Sequence, residues 1–187
     1  LVVVAFVVGV IWHRLRPTLP ATLERMGLER VVVLTLPSAN RTRGLAKDAS
    51  KIGLPIEIWA ASDGLNNETF RSKVIPLSFP EASCSDIFGA NFDSHERVWT
   101  VVAEEEKPTL VLEDDVRIPT DFAENFLERM RVLPESYDMV YVGVSVSTKA
   151  QQVSPGLLRP SGESDTEKAL TGIWAYVITP RGAQRLL

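Results

Sequence analysis

The sequence predicts an α/β domain built on a mainly parallel sheet flanked by helices. Three observations carry this expectation. Residues 31–36 are a mostly apolar run of the kind found in strands buried on both faces. A strand–helix–strand order follows up to residue 61, and crossovers of that type are right-handed and join parallel strands. Between two further apolar runs, residues 121–133 repeat with helical period, placing Phe122, Phe126, Met130 and Leu133 on one stripe.

The elements follow in order. Residues 1–12 are apolar apart from Gly9 and are followed at once by His13, Arg14 and Arg16. Twelve residues are too few to cross a bilayer, which takes about 20. Two readings stand: part of a signal-anchor helix with a basic edge, or a buried first strand rich in valine. The basic stretch punctuated by Pro17 and Pro20 favours the anchor, with residues 13–29 as a stem and a membrane-attached setting on the lumenal side of the Golgi or ER as the expectation, although a cytoplasmic bacterial protein would read similarly without those first residues.

The domain then spans residues 30–187. After the first strand, residues 41–52 read as a helix with Leu45, Ala49 and Ile52 on one side, closed by Gly53. A short strand covers 57–61 and ends in Ser62-Asp63-Gly64. Residues 65–94 lack a clear period and are expected as an excursion loop with short helical pieces. A helix is predicted over 96–106, with Val98, Val101 and Val102 inward and Glu104 to Glu106 outward. Strands are expected at 109–112, 139–144 and 174–179, with an exposed loop over 150–167. Pro180 opens a final helix, and the lack of a C-cap before Leu187 suggests a sequence cut short.

Composition narrows the chemistry. Apolar residues make up 45% and charged residues 24%, so the chain folds rather than staying disordered. Lys and Arg number 20 against 24 Asp and Glu, a net charge of −4, which argues against a nucleic-acid binder. One cysteine, Cys84, and two histidines exclude an internal disulfide and a thiolate cage and leave little room for an imidazole site. A bound metal would be hard and held by oxygen.

The carboxyl ends of the strands are where open α/β sheets bind ligands, and Glu113-Asp114-Asp115 falls at such an end. Three anions together repel unless they are solvated or a cation sits among them. Mg²⁺ or Mn²⁺ would relieve the repulsion and keep positions open for phosphate oxygens. In extended backbone Glu113 and Asp115 would point the same way, with Asp114 turned aside. The other reading is a solvated acidic turn, as read for Glu104 to Glu106.

Asp63-Gly64 fits a carboxylate meeting a nucleotide's sugar or base, or a common turn pair. Arg41 and Arg43 have the fork that matches a pyrophosphate, or are exposed first-turn cations. His95 reads as an acceptor-side group, or as a first-turn residue of a helix capped by Ser94.

Taken in order, six segments resemble glycosyltransferase family 25. They are Val31-Val-Val-Leu-Thr-Leu-Pro-Ser-Ala-Asn-Arg-Thr-Arg43, Trp59-Ala-Ala-Ser-Asp-Gly64, Ser94-His95 with Trp99, Leu110-Val-Leu-Glu-Asp-Asp-Val116, Tyr137-Asp-Met-Val-Tyr-Val-Gly143, and Gly172-Ile-Trp-Ala-Tyr-Val-Ile-Thr-Pro-Arg-Gly-Ala183. The resemblance implies an A-type, Rossmann-like glycosyltransferase fold and a nucleotide-sugar donor. It also implies transfer with inversion of a galactose-like sugar to a hydroxyl of a glycan, lipid or protein. The metal maps to Asp115, assisted by Glu113. The stretch 88–93 departs from the family pattern before Ser-His, and no catalytic base is assigned.

Competing readings are a relative that binds without catalysing, a haloacid-dehalogenase-type phosphatase and a dinucleotide oxidoreductase. The phosphatase needs Asp-x-Asp directly after the apolar run, where Glu113 stands instead. The oxidoreductase needs a Gly-x-Gly-x-x-Gly after the first strand, which is absent.

Overall fold

The computed structural model describes residues 20–64, 82–134, 136–146, 151–154, 157–159 and 170–187. The expected anchor over 1–12 and most of the loop over 65–94 lie outside them. Among the described residues no helix is long and apolar enough to cross a membrane.

The elements run α1 (Ala21–Met26), β1 (Arg30–Thr35), α2 (Thr42–Lys51), β2 (Glu57–Ala60), α3 (Ala82–Glu105) and β3 (Thr109–Glu113). They continue with α4 (Phe122–Met130), β4 (Met139–Val146), β5 (Gln151–Ser154), β6 (Leu157–Arg159), β7 (Leu170–Ile178) and α5 (Pro180–Leu186). A five-stranded sheet has the order β2-β1-β3-β7-β4. Its first three strands are parallel, and β7 runs antiparallel to both β3 and β4. The α/β architecture with a mainly parallel sheet is therefore as the sequence predicts.

Strand alternation divides the core in two. Val31 and Val33 of β1, with Leu110 and Leu112 of β3, face Leu45 and Ala49 of α2 and Phe126 of α4. Val32 and Leu34, with Val111, Tyr176 and Ile178, face Val98 and Val102 of α3 and Ala183 of α5. Burial on both faces is why β1 and β3 read as continuous apolar runs. Val31, Val32 and Val33 are each at most 1% exposed, and such burial contributes about 1.5–3 kcal/mol per side chain relative to exposure.

Four expectations need correction. The stretch 13–29, read as a stem, holds α1 in its described part, and Leu23, Met26 and Leu28 enter the α2–α4 core. Their apolar spacing is only one turn long, too short to announce a helix against the flanking prolines. The helix expected to begin at residue 96 is already running by Ala82. Its buried stripe includes Asp86, Ala90, Asp93 and Ser94, so polar and small residues hide the helical period that apolar ones would show. Ser94 is accordingly inside the helix rather than at its cap. Finally, the loop expected over 150–167 contains β5 and β6, an antiparallel pair made by strands of four and three residues.

The parallel register brings the carboxyl ends of β1, β2 and β3 level. Thr35 pairs with Ala60, and Leu34 pairs with Glu113. The chain leaves all three strands on the same edge of the sheet, and α3 passes over that edge.

Candidate active site

Loops leaving β1, β2 and β3 and one side of α3 enclose a cavity of about 290 Å³. Arg41, Asp63, Gly64, His95, Glu113, Asp114 and Asp115 all line it. Of the residues singled out in the sequence, Arg43 alone stands outside: it is exposed and is not part of the lining. The fork for an anion thus rests on Arg41.

The acidic turn is split by the pleat of β3. Glu113 is the last strand residue and continues the face of Val111, toward α3, where its Oε1 lies 3.9 Å from His95 Nε2. Asp114 continues the face of Leu110 and Leu112. Its Oδ2 accepts from the Thr35 hydroxyl at 2.7 Å, and its Oδ1 lies 3.7 Å from Arg41 Nε. The strand then gives way to a turn, with the Val116 N–H reaching back to the Glu113 carbonyl at 3.4 Å. Asp115 falls in this turn and is exposed, so the extended geometry expected for the pair Glu113 and Asp115 stops at Glu113.

Asp114 holds Arg41 at the cavity wall while the guanidinium remains half exposed and open to an incoming anion. Among the described residues no three Asp, Glu, His or Cys side chains converge as a preformed metal cage. A Mg²⁺- or Mn²⁺-type site takes one or two carboxylates and completes its shell with phosphate oxygens and water. Glu113 and Asp115 supply hard oxygen donors of that kind.

The turn after β2 is fixed by α3. The Ser62 backbone N–H donates to Ser94 Oγ at 2.9 Å, and Ser94 Oγ donates to the Ala90 carbonyl at 2.7 Å. The Ser62 hydroxyl donates to Asp93 Oδ2 at 2.5 Å, and Arg97 donates to the Ala60 carbonyl at 2.8 Å. Gly64 lies against the helix: a Cβ there would come within 2.4 Å of the Asp86 carbonyl oxygen and 2.9 Å of Ile87 Cα. The glycine is therefore needed for the loop to pack on α3, and that packing presents Asp63 to the cavity.

His95 belongs to a half-buried polar chain. The Trp99 indole N–H donates to the Tyr176 hydroxyl at 2.9 Å, and that hydroxyl lies 2.8 Å from His95 Nδ1. All three groups are satisfied when the hydroxyl proton serves Nδ1 and leaves Nε2–H toward Glu113. Burial pushes the Tyr176 hydroxyl well above its ordinary pKa, so it remains a donor through neutral pH. The residues that site reasoning missed are Thr35, Ser94 as a tether, Trp99 and Tyr176. A signal existed for two of them: Trp99 is four residues from His95, hence on the same helix face, and Tyr176 lies in the last of the six segments.

Beyond the turn, Arg117 ties the acidic loop back to α2. Its Nε donates to Asp48 Oδ2 at 2.6 Å, and Lys51 Nζ lies 3.0 Å from Asp48 Oδ1. The hydrogen bond from Arg117, supported by Lys51, holds the Asp48 carboxyl well below the usual carboxylate range.

The family model described as glycosyltransferase family 25 (LPS biosynthesis protein) matches residues 30–187. No curated protein matches the chain. The match spans every strand of the five-stranded sheet and every residue lining the cavity. The chain belongs to glycosyltransferase family 25.

Proposed function

We propose that this family 25 glycosyltransferase binds its nucleotide-sugar donor in the cavity at the strand ends and transfers the sugar to an acceptor with inversion at the sugar carbon. The donor would be a nucleoside-diphosphate hexose of galactose type, and the reaction would depend on Mn²⁺ or Mg²⁺. The observation that carries the reading is the meeting of Arg41, Asp63 and the Glu113–Asp115 turn around one cavity, at the carboxyl ends of three parallel strands.

Arg41, braced by Asp114, offers its remaining N–H groups to the diphosphate. Asp63, presented by the Gly64 contact, accepts hydrogen bonds from hydroxyls of the ribose or the sugar. Asp115, with Glu113, would hold the cation, which when bound offsets the charge that builds on the departing diphosphate. An acceptor hydroxyl forms the new bond at the sugar carbon from the face opposite the diphosphate, whose oxygen leaves with the bonding electrons. A carboxylate takes the hydroxyl proton.

Calorimetric titration of the full chain with UDP, with and without Mn²⁺, tests the donor site. Binding strengthened at least tenfold by the metal in the native protein, and not in Asp115→Asn, is the expected result. Absence of nucleotide binding under either condition sinks the assignment.

A further inference from the structure

A second cavity, of about 420 Å³, opens beside the first. The two have three lining residues in common: Asn91, His95 and Glu113. Beyond that shared wall the second cavity is lined by five aromatic rings together with Met139 and Leu186. Phe88, Phe92 and Trp99 come from α3, Tyr141 from β4 and Tyr176 from β7. We propose that this cavity is the acceptor subsite and that it takes a sugar ring, laid with its C–H face on the aromatic side chains and its hydroxyls toward Asn91 and Glu113. The inference rests on the donor reading only for what occupies the first cavity.

Three features favour a sugar. The first is the division of chemistry within the cavity. A pyranose has one face of polarised C–H groups and a rim of hydroxyls, so it needs an electron-rich aromatic surface and a few convergent polar groups. Here Asn91 and Glu113 belong to the shared wall, whereas none of the five rings lines the first cavity. A hydroxyl bound at that wall therefore faces the donor cavity, where its new bond must form. An alkyl chain would make no hydrogen bond to the exposed Asn91 or to Glu113.

The second feature is that the aromatic surface is already assembled. Trp99 and Tyr176 spend their polar atoms on each other and on His95, which fixes both rings and leaves no unmet donor under a ligand. Phe92 meets Trp99 edge to face, with centroids 5.6 Å apart and planes at 84°. A preformed platform binds without the entropy cost of ordering its side chains.

The third is exposure. Phe88 and Phe92 are 51% and 47% exposed, on the side of α3 that borders the cavity. Two phenyl rings so exposed beside a cleft mark a place where a ligand lies. Volume agrees: small-molecule sites run roughly 300–1,000 Å³.

The test uses the full chain, with methyl glycosides of glucose, galactose and mannose as probes and saturation-transfer NMR as the readout. At least one glycoside should show transfer, and Phe92→Ala and Tyr141→Ala should each weaken its binding fivefold or more. UDP affinity should stay within twofold in both variants, because neither residue lines the first cavity. Far-ultraviolet circular dichroism and thermal melts identify a variant that has lost its fold, and Tyr141→Phe, which keeps the ring, should retain glycoside binding. Failure of all six methyl glycosides, α and β, to bind in the presence of UDP overturns the inference and leaves the donor reading standing. Loss of UDP affinity in Phe92→Ala or Tyr141→Ala also overturns it, since the rings would then stack on the nucleobase. If native protein binds a glycoside but not UDP, the donor reading fails and the sugar subsite survives.

Discussion

His95 Nδ1 and the Tyr176 hydroxyl lie 2.8 Å apart, which joins helix α3 to strand β7 directly beneath the wall between the two cavities. Because Trp99 donates to the same hydroxyl, one oxygen holds two side chains in place. Tyr176→Phe removes that oxygen, so the half-buried indole N–H of Trp99 and ring nitrogen of His95 lose that partner. Each hydrogen bond lost costs about 0.5–1.5 kcal/mol, and for a chain of this size each kcal/mol lowers Tm by roughly 2–4 °C. Thermal melts of the variant should therefore fall by several degrees, with activity reduced further than the melt implies because His95 is no longer oriented. An unchanged melt and unchanged transfer rate would show the chain to be incidental.

Gly64 gives a contrast with Gly44. A methyl group at residue 64 would press on the Asp86 and Ile87 backbone at 2.4–2.9 Å, whereas at residue 44 it meets nothing within 4 Å. Gly64→Ala should lift the loop carrying Asp63 from α3, destabilise the fold by about 1–3 kcal/mol and weaken nucleotide binding. Gly44→Ala, inside helix α2, should stabilise by about 0.5–1 kcal/mol and leave binding alone. Urea denaturation with UDP titration reads both. Equal behaviour of the two variants would contradict the packing role given to Gly64.

How much of this could be read from residues alone follows from where the information lies. Strands β1 and β3 were legible because two-sided burial makes them apolar throughout, and the acidic turn was legible because it follows one of them directly. The start of α3 was not, since the face it buries carries Asp86, Asp93 and Ser94, whose partners come from a loop far away in sequence. Direction within the triplet was lost for a related reason. Alternation sends Glu113 and Asp114 to opposite faces, but only the pairing of β3 with β1 shows that Thr35 waits on one side and His95 on the other. Arg43 shows the converse: chemistry suited to phosphate, on an exposed helix turn outside the lining of the cavity.

Asp48 makes stability depend on acid. Its folded pKa lies below the unfolded value of about 3.9, so the pair with Arg117 contributes fully above that value. The contribution is lost as pH falls through the folded pKa. Asp48→Asn, which cannot pair in this way, should be less stable than the native protein at pH 7. The gap between their urea midpoints should hold down to about pH 5 and close progressively below about pH 4. A gap that persists undiminished into strong acid would mean that the carboxylate charge is not what joins the acidic turn to α2.

Arg41 decides whether the cavity recognises phosphate by shape or by charge alone. With Asp114 3.7 Å from its Nε, the guanidinium is held by one edge, and the other N–H groups remain for a diphosphate. Arg41→Ala should weaken UDP binding about tenfold, equivalent to about 1.4 kcal/mol. Arg41→Lys keeps the charge but loses the fork, so it should recover little of that affinity. Thr35→Val, which removes the hydroxyl that fixes Asp114, should weaken binding to a smaller extent while Arg41 itself is intact. Calorimetry on the three variants ranks them. Full recovery in Arg41→Lys would reduce the role of Arg41 to a point charge, and a native affinity in Arg41→Ala would remove it from the donor site.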